Sequence, residues 1–201
     1  DGSDLIIETG ADTADKLILS DINMNEASFA ATLEGDLVVT FANGDRLMVE
    51  NQFTTSGNLS IESVSFANGA ILDRAGILEK AEEDQKTNGA GTVFGTLLSD
   101  IHRHTLGDGS YTIRQTGSTS QPDRLLFTDV RSDQVVLTRS GNDLRIDVAG
   151  QEVVKIIGQL GTGSSFYIET IEFSDGVMWS QSQLAALVVT GNNIVGTDIG
   201  E

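Results

Sequence analysis

The chain has 201 residues, of which 30 are Asp or Glu and 12 are Lys or Arg, giving a formal net charge of −18. A surface so acidic repels phosphate and excludes nucleic-acid binding through backbone contacts, whereas a 39% hydrophobic content is enough to build one large core or two small ones. The absence of Cys removes disulfide frameworks, thiolate metal sites and thiol nucleophiles together.

With 22 Gly, a single Pro (Pro122) and apolar stretches rich in Val, Ile, Leu and Thr, the composition suits many short strands joined by tight turns. No apolar run approaches the length of a membrane-spanning helix and the start is no signal peptide, so the chain reads as a soluble piece of a longer protein. The opening DGSDLIIETG (Asp1 to Gly10) leads into DKLILSDI (Asp15 to Ile22), and DLVVTF, DRLMVE and LSIESVSF follow as predicted strands. FANG (Phe66 to Gly69) reads as a two-residue hairpin turn, since Asn-Gly reaches positive φ easily. Asp73 caps a short predicted helix carrying Ile77 and Leu78, and the charged, then Gly-rich AEEDQKTNGAG reads as a linker.

The order then starts again. DGSYTIRQTG (Asp108 to Gly117) is identical to the opening at six of ten positions with a shift of 107, and DRLLFTDV (Asp123 to Val130) answers DKLILSDI. From Asp36 to Asp73 the match to Asp143 through Ser180 has no gap and pairs Gln52 with Gln159, Ile61 with Ile168, Glu62 with Glu169 and Phe66 with Phe173. In this second copy DLRIDVAG alternates Leu144, Ile146 and Val148 against Arg145 and Asp147, as a half-buried strand does, and EVVKIIG is the next strand. FYIETIEF offers Phe166, Ile168, Ile171 and Phe173 as inward residues, FSDG repeats the hairpin turn, and Ser180 with Gln183 forms a capping box ahead of Leu184 to Leu187. A period this long makes each copy a small domain.

The run from Thr138 to Leu184, through its SGNDL turn, the IETIEFSDG stretch and Trp179, resembles the haemolysin-type calcium-binding-related domain. Such domains accompany the Gly- and Asp-rich repeats of RTX proteins, which Gram-negative bacteria export by type I secretion. The resemblance implies calcium held by Asp side chains and Gly-loop carbonyls between turns of a parallel β-roll, a chemistry that fits a hard cation wanting six to eight oxygens. On that reading the candidate metal residues are Asp1, Gly2 and Asp4 in the first copy, Asp108 in the second, and Asp198 in the roll-like TGNNIVGTD near the end. Asp4 falls on the liganding Asp position, whereas the second copy has Tyr111 there, so any such ion is expected near the first copy only. The nonapeptide is otherwise degraded, and NGAGTVFG keeps the glycines of a roll turn without its Asp.

Other residues support blander readings. His102 and His104 in IHRHTL would share one face of a strand and offer two zinc ligands, but no third is obvious nearby. Asp36 and Asp143 are expected to shape turns, Glu62 and Glu169 to face outward or to ligate a cation, and Trp179 to pack in a core. No acid/base or nucleophile constellation stands out, so no enzyme is expected.

The resulting expectation is a mostly β chain of two repeated small antiparallel β modules, each with a short C-terminal helix, joined by degenerate β-roll-like turns. The first module spans residues 1–83, a Gly-rich linker with a degenerate roll turn 84–106, the second module 107–190, and the start of a further roll turn 191–201. The expected role is that of a non-catalytic, calcium-associated module, extracellular or on the bacterial surface, with calcium ions as partner and neither nucleic acid nor a membrane-spanning segment. The alternative is a calcium-independent structural or adhesive module that self-associates or binds a glycan or cell-surface partner.

Overall fold

The computed structural model describes residues 2–10, 14–55, 59–87, 91–117, 120–162, 167–188 and 194–195. Its contacts divide the chain into two compact units: unit 1 comprises Asp1–Gly89 and Phe94–Leu98, unit 2 Ala90–Val93 and Ser99–Glu201.

Unit 1 carries β1 (Ser3–Ile6), β2 (Lys16–Leu19), β3 (Ala27–Ala31), β4 (Leu37–Phe41), β5 (Arg46–Val49), β6 (Ser63–Phe66), β7 (Ile71–Asp73) and α1 (Arg74–Thr87). The strands form two sheets, in the orders β1-β5-β4-β3 and β2-β6-β7. Period-2 alternation places Phe29, Leu37, Val39, Val49 and Val64 inward, where each is fully buried together with Phe53 and Ile77. Asp73 caps α1 by accepting a hydrogen bond from Gly76 N at 2.8 Å. The helix is longer than its apolar residues suggest, because the charged run after Ala81 continues it: Gln85, Lys86 and Glu82 are buried, and Asp84 accepts the Phe29 N–H of edge strand β3 at 2.8 Å.

Unit 2 repeats this plan with additions. Its strands are β8 (Thr92–Phe94, whose last residue falls in unit 1), β9 (Ile101–His104), β10 (Tyr111–Arg114), β11 (Arg124–Phe127), β12 (Val135–Ser140), β13 (Asp143–Val148), β14 (Gln151–Ile156), β15 (Thr170–Glu172), β16 (Met178–Ser180) and β17 (Ile194–Val195), with α2 (Gln181–Leu187) before β17. The two sheets run β17-β12-β13-β14-β10-β8 and β16-β15-β11-β9. Leu144, Ile146 and Val148 alternate inward on β13 as predicted, and Ser180 N donates to Gln183 Oε1 at 2.8 Å in the expected capping box. Phe166 lies outside the described residues.

The copies share strand order and register. β1 pairs parallel with β5 at Asp4↔Leu47, and β10 with β14 at the equivalent Tyr111↔Val154. β2 and β6 pair at Leu17↔Val64, matched by β11 and β15 at Leu125↔Ile171. Phe66 and Phe173 are equivalent core residues, 5% and 2% exposed. The chain is mostly β, as expected, and these parallel pairs correct the expectation that the two modules are antiparallel: the sheets are mixed. The leading segments of each copy place successive strands in alternate sheets, so each strand returns in the direction it left, which a plain meander cannot do. The hairpin turns differ in length from the two-residue reading. Gly69 N donates to Phe66 O at 3.0 Å and Phe66 N to Ala70 O at 3.0 Å, so the loop has three residues and closes on Gly69 at φ +81°; Phe173 to Val177 repeats this with Gly176 at φ +80°.

Candidate functional site

Buried polar groups recur at the same places in both units. Gln52 and Gln159 are fully buried and clamp a neighbouring backbone: Gln52 Nε2 donates to Ile61 O at 2.8 Å and its Oε1 accepts Ile61 N at 2.9 Å, and Gln159 does the same to Ile168 at the same distances. Glu62 and Glu169 are neither outward decoration nor idle. Each accepts a backbone N–H at 2.7 Å, from Asp15 and Asp123, and so fixes the residue that leads into the parallel strand β2 or β11. Asp36 and Asp143 hold turns, as expected, by accepting Asn51 N and Gly158 N, both at 2.9 Å. Those two donors sit at φ +59° and +72°, which explains an Asn in one copy and a Gly in the other.

Unit 2 adds a buried cluster around Asp123 that sequence reasoning missed. The residue before β9, Asp100, is fully buried, and its N–H donates to Asp123 Oδ1 at 2.9 Å. Gln115, at the end of β10, donates from Nε2 to both Asp100 Oδ2, at 3.0 Å, and Asp123 Oδ2. His102 Nε2 meets Gln115 Oε1 at 3.1 Å, and a ring nitrogen of His102 lies within 4.8 Å of an Asp100 carboxylate oxygen. Desolvation, with the charges of Asp100 and Glu169 adding to it, pushes the Asp123 carboxyl up to about 8 against the pull of the Asp100 and Gln115 hydrogen bonds. Asp123 therefore holds a proton at neutral pH. The only sequence signal for this cluster was the Asp–x–His pattern of Asp100 and His102, which becomes visible once both are known to be buried.

The other predicted residues lie elsewhere. His102 and His104 do share one face of β9, and that face is the core: His104 contacts the rings of Tyr111 and Phe127 with centroids 5.5 and 5.1 Å apart. Trp179 packs edge-on against Phe173 at 4.5 Å, 8% exposed. Asp4 is exposed on β1, and Gly2 N donates to Asp45 Oδ1 at 2.8 Å, a hydrogen bond that holds the Asp45 carboxyl below its ordinary range. Asp108 belongs to unit 2, where its two oxygens accept Thr105 N at 3.0 Å and Thr105 Oγ1 at 2.6 Å and cap the one-turn helix Leu106–Asp108. Asp1 and Asp198 lie outside the described residues. Of the residues described above, a hard cation could draw on exposed Asp4 or on the buried carboxylates of Asp100 and Asp123 with partly buried Glu169 beside them; the latter are oxygen ligands of the right kind, and binding there requires the Asp123 proton to leave.

The repeated geometry coincides with a known domain. Residues 36–75 and 143–183 match the haemolysin-type calcium binding protein related domain. The two matches are consistent with two tandem copies of that domain. Each matched stretch begins at the turn-holding Asp, Asp36 or Asp143, and runs past the Gln clamp and the strand-fixing Glu into the first turn of α1 or into α2. The parallel leading strands β1, β2, β10 and β11, and the cluster residues Asp100, His102, Gln115 and Asp123, lie outside the matched stretches. A comparison with curated proteins found no match.

Proposed function

We propose that this chain is a non-catalytic, calcium-associated module of a secreted RTX-type exoprotein, in which calcium favours the folded state outside the cell. The match to a calcium-binding-related domain at equivalent positions of both copies carries this reading. The net charge of −18 supports it, because divalent ions offset self-repulsion in a compact acidic chain. An ion that binds only the native state stabilises it by RT ln(1 + [L]/Kd), so stability then rises with calcium outside the cell and is lower at cytoplasmic levels. Asp4, and the cluster of Asp100, Asp123 and Glu169, are the residues that would hold the ion.

Thermal unfolding followed by circular dichroism in chelator, in excess calcium and in magnesium tests the proposal. Calcium is expected to raise the midpoint more than an equal concentration of magnesium. Titration calorimetry separates the two locations: binding at Asp123 releases protons and strengthens from pH 6 to pH 9, whereas binding at Asp4 is lost in Asp4→Asn. An unchanged midpoint in calcium would remove this reading. The second reading, a structural or adhesive module that needs no calcium, is favoured by one observation: Asp108, where a ligand was expected, is already engaged by protein donors, both of its oxygens accepting from Thr105. An unfolding curve indifferent to calcium is its signature.

A further inference from the structure

The two units differ at the outer side of their leading strands. In unit 2 both outer sides are occupied. β8 lies beside β10, with Thr112 N donating to Gly91 O, and β9 runs parallel to β11 in the register Arg124↔Ile101 to Phe127↔His104. Arg124 N and Thr128 N complete that pairing on Asp100 O and His104 O, at 2.9 and 3.0 Å. In unit 1, β1 and β2 sit on β5 and β6 in the same register, yet among the described residues each is the terminal strand of its sheet.

Burial follows the difference position by position. Tyr111 and Ile113 on β10 are 3% and 0% exposed, whereas the equivalent Asp4 is exposed and Ile6 half-buried. Leu125 and Phe127 on β11 are fully buried, whereas the equivalent Leu17 and Leu19 are half-buried. Leu5, Ile7 and Ile18 stand 53%, 56% and 66% exposed beside them.

We propose that β1 and β2 together form a docking surface for one further coil of polypeptide of the β8–β9 kind, joined ahead of β1 as residues 91–110 are joined ahead of β10. The occupant is backbone rather than a small ligand, because what two terminal strands present is a row of N–H and C=O groups flanked by apolar side chains. It arrives as two short strands, one for each sheet, the one on β2 running parallel to it as β9 does to β11, because this chain already covers β10 and β11 with one strand each. Its inward positions are apolar or uncharged, to close over Ile6, Leu17 and Leu19 as Val93, His102 and His104 close over their counterparts. This surface lies outside both stretches matched by the calcium-related domain, and the inference does not rest on calcium binding.

The test extends the full chain at its start with a second copy of residues 90–107 and compares it with the same chain carrying a scrambled extension of identical composition, both in chelator. Hydrogen exchange at the β1 and β2 amides is expected to slow about tenfold or more with the native-order coil alone. Ile6→Lys together with Leu17→Lys is expected to abolish that gain while leaving exchange in unit 2 as it was. Equal protection by the scrambled extension, or no protection by either, overturns the proposal. So does size-exclusion evidence that the unextended chain dimerises with β1 and β2 already protected, because the occupant is then a second copy.

Discussion

Asp123 sets a pH dependence whose sign can be worked out. Its folded-state value of about 8 lies above the 3.8 of an ordinary Asp. Below pH 3.8 both states hold the proton; between 3.8 and about 8 the unfolded chain releases it while the native chain keeps it, so stability falls as pH rises through that window and levels off above it. Thermal midpoints from pH 5 to pH 9 are expected to fall, and Asp123→Asn, which keeps the shape and removes the ionisable group, is expected to flatten the curve. An equally steep curve in the variant would place the proton elsewhere. The Gln clamps make a second residue-scale prediction. Gln159→Ala strands the buried N–H and C=O of Ile168 together, at about 1 to 3 kcal/mol for each group, so urea unfolding is expected to show a loss of several kcal/mol from unit 2, and Gln52→Ala the same from unit 1. Tyr111 belongs at this scale too. Its phenol is a poor ligand for calcium, and it is a core side chain 3% exposed, so Tyr111→Asp buries a carboxylate rather than creating a site.

At the scale of elements, the parallel strands depend on acceptors delivered from the neighbouring strand's entry. Glu169→Ala leaves the Asp123 N–H without its 2.7 Å partner and, being partly buried, is expected to cost about 1 to 3 kcal/mol and to speed exchange of that amide. Glu169→Gln, which retains the acceptor oxygen, is expected to restore most of it. The three-residue hairpin loops likewise need their glycine. Gly69→Ala and Gly176→Ala place a Cβ at φ near +80°, where there is open space but strained backbone, so each is expected to lower stability by about 1 kcal/mol in urea titration without rearranging the core. α1 shows how an element escapes a composition reading. Its charged second half looks like a solvated linker, yet Asp84 covers the edge of β3 and Gln85 receives the Phe94 N–H at 3.1 Å, contacts that exist only once the sheet is present.

For the whole molecule, the excess of acidic groups is the dominant electrostatic fact, and its effect is separable from site binding. Sodium chloride screens self-repulsion over a Debye length of about 10 Å at 0.1 M, so the midpoint in chelator is expected to rise with monovalent salt. If calcium acts through sites, its increment persists in high salt; if it acts only by screening, the two effects are not additive and the increment vanishes. Among the described residues no helix is long and apolar enough to cross a membrane.

The duplication, the mostly β character, the alternation along β13 and the helix caps at Asp73 and Ser180 were legible from order alone, because each depends on neighbours within a few residues or on a constant shift between copies. Such features survive without knowing which strand lies beside which. What tertiary structure alone decided is the pairing: that the leading strands run parallel in two sheets, that Glu62 and Glu169 serve backbone N–H groups far along the chain, and that Asp100, Gln115 and Asp123 meet. The physical reason lies in burial. A carboxylate in sequence carries no mark of whether water or protein will surround it, and at Asp123 that surrounding turns an ordinary acid into a group that keeps its proton at neutral pH.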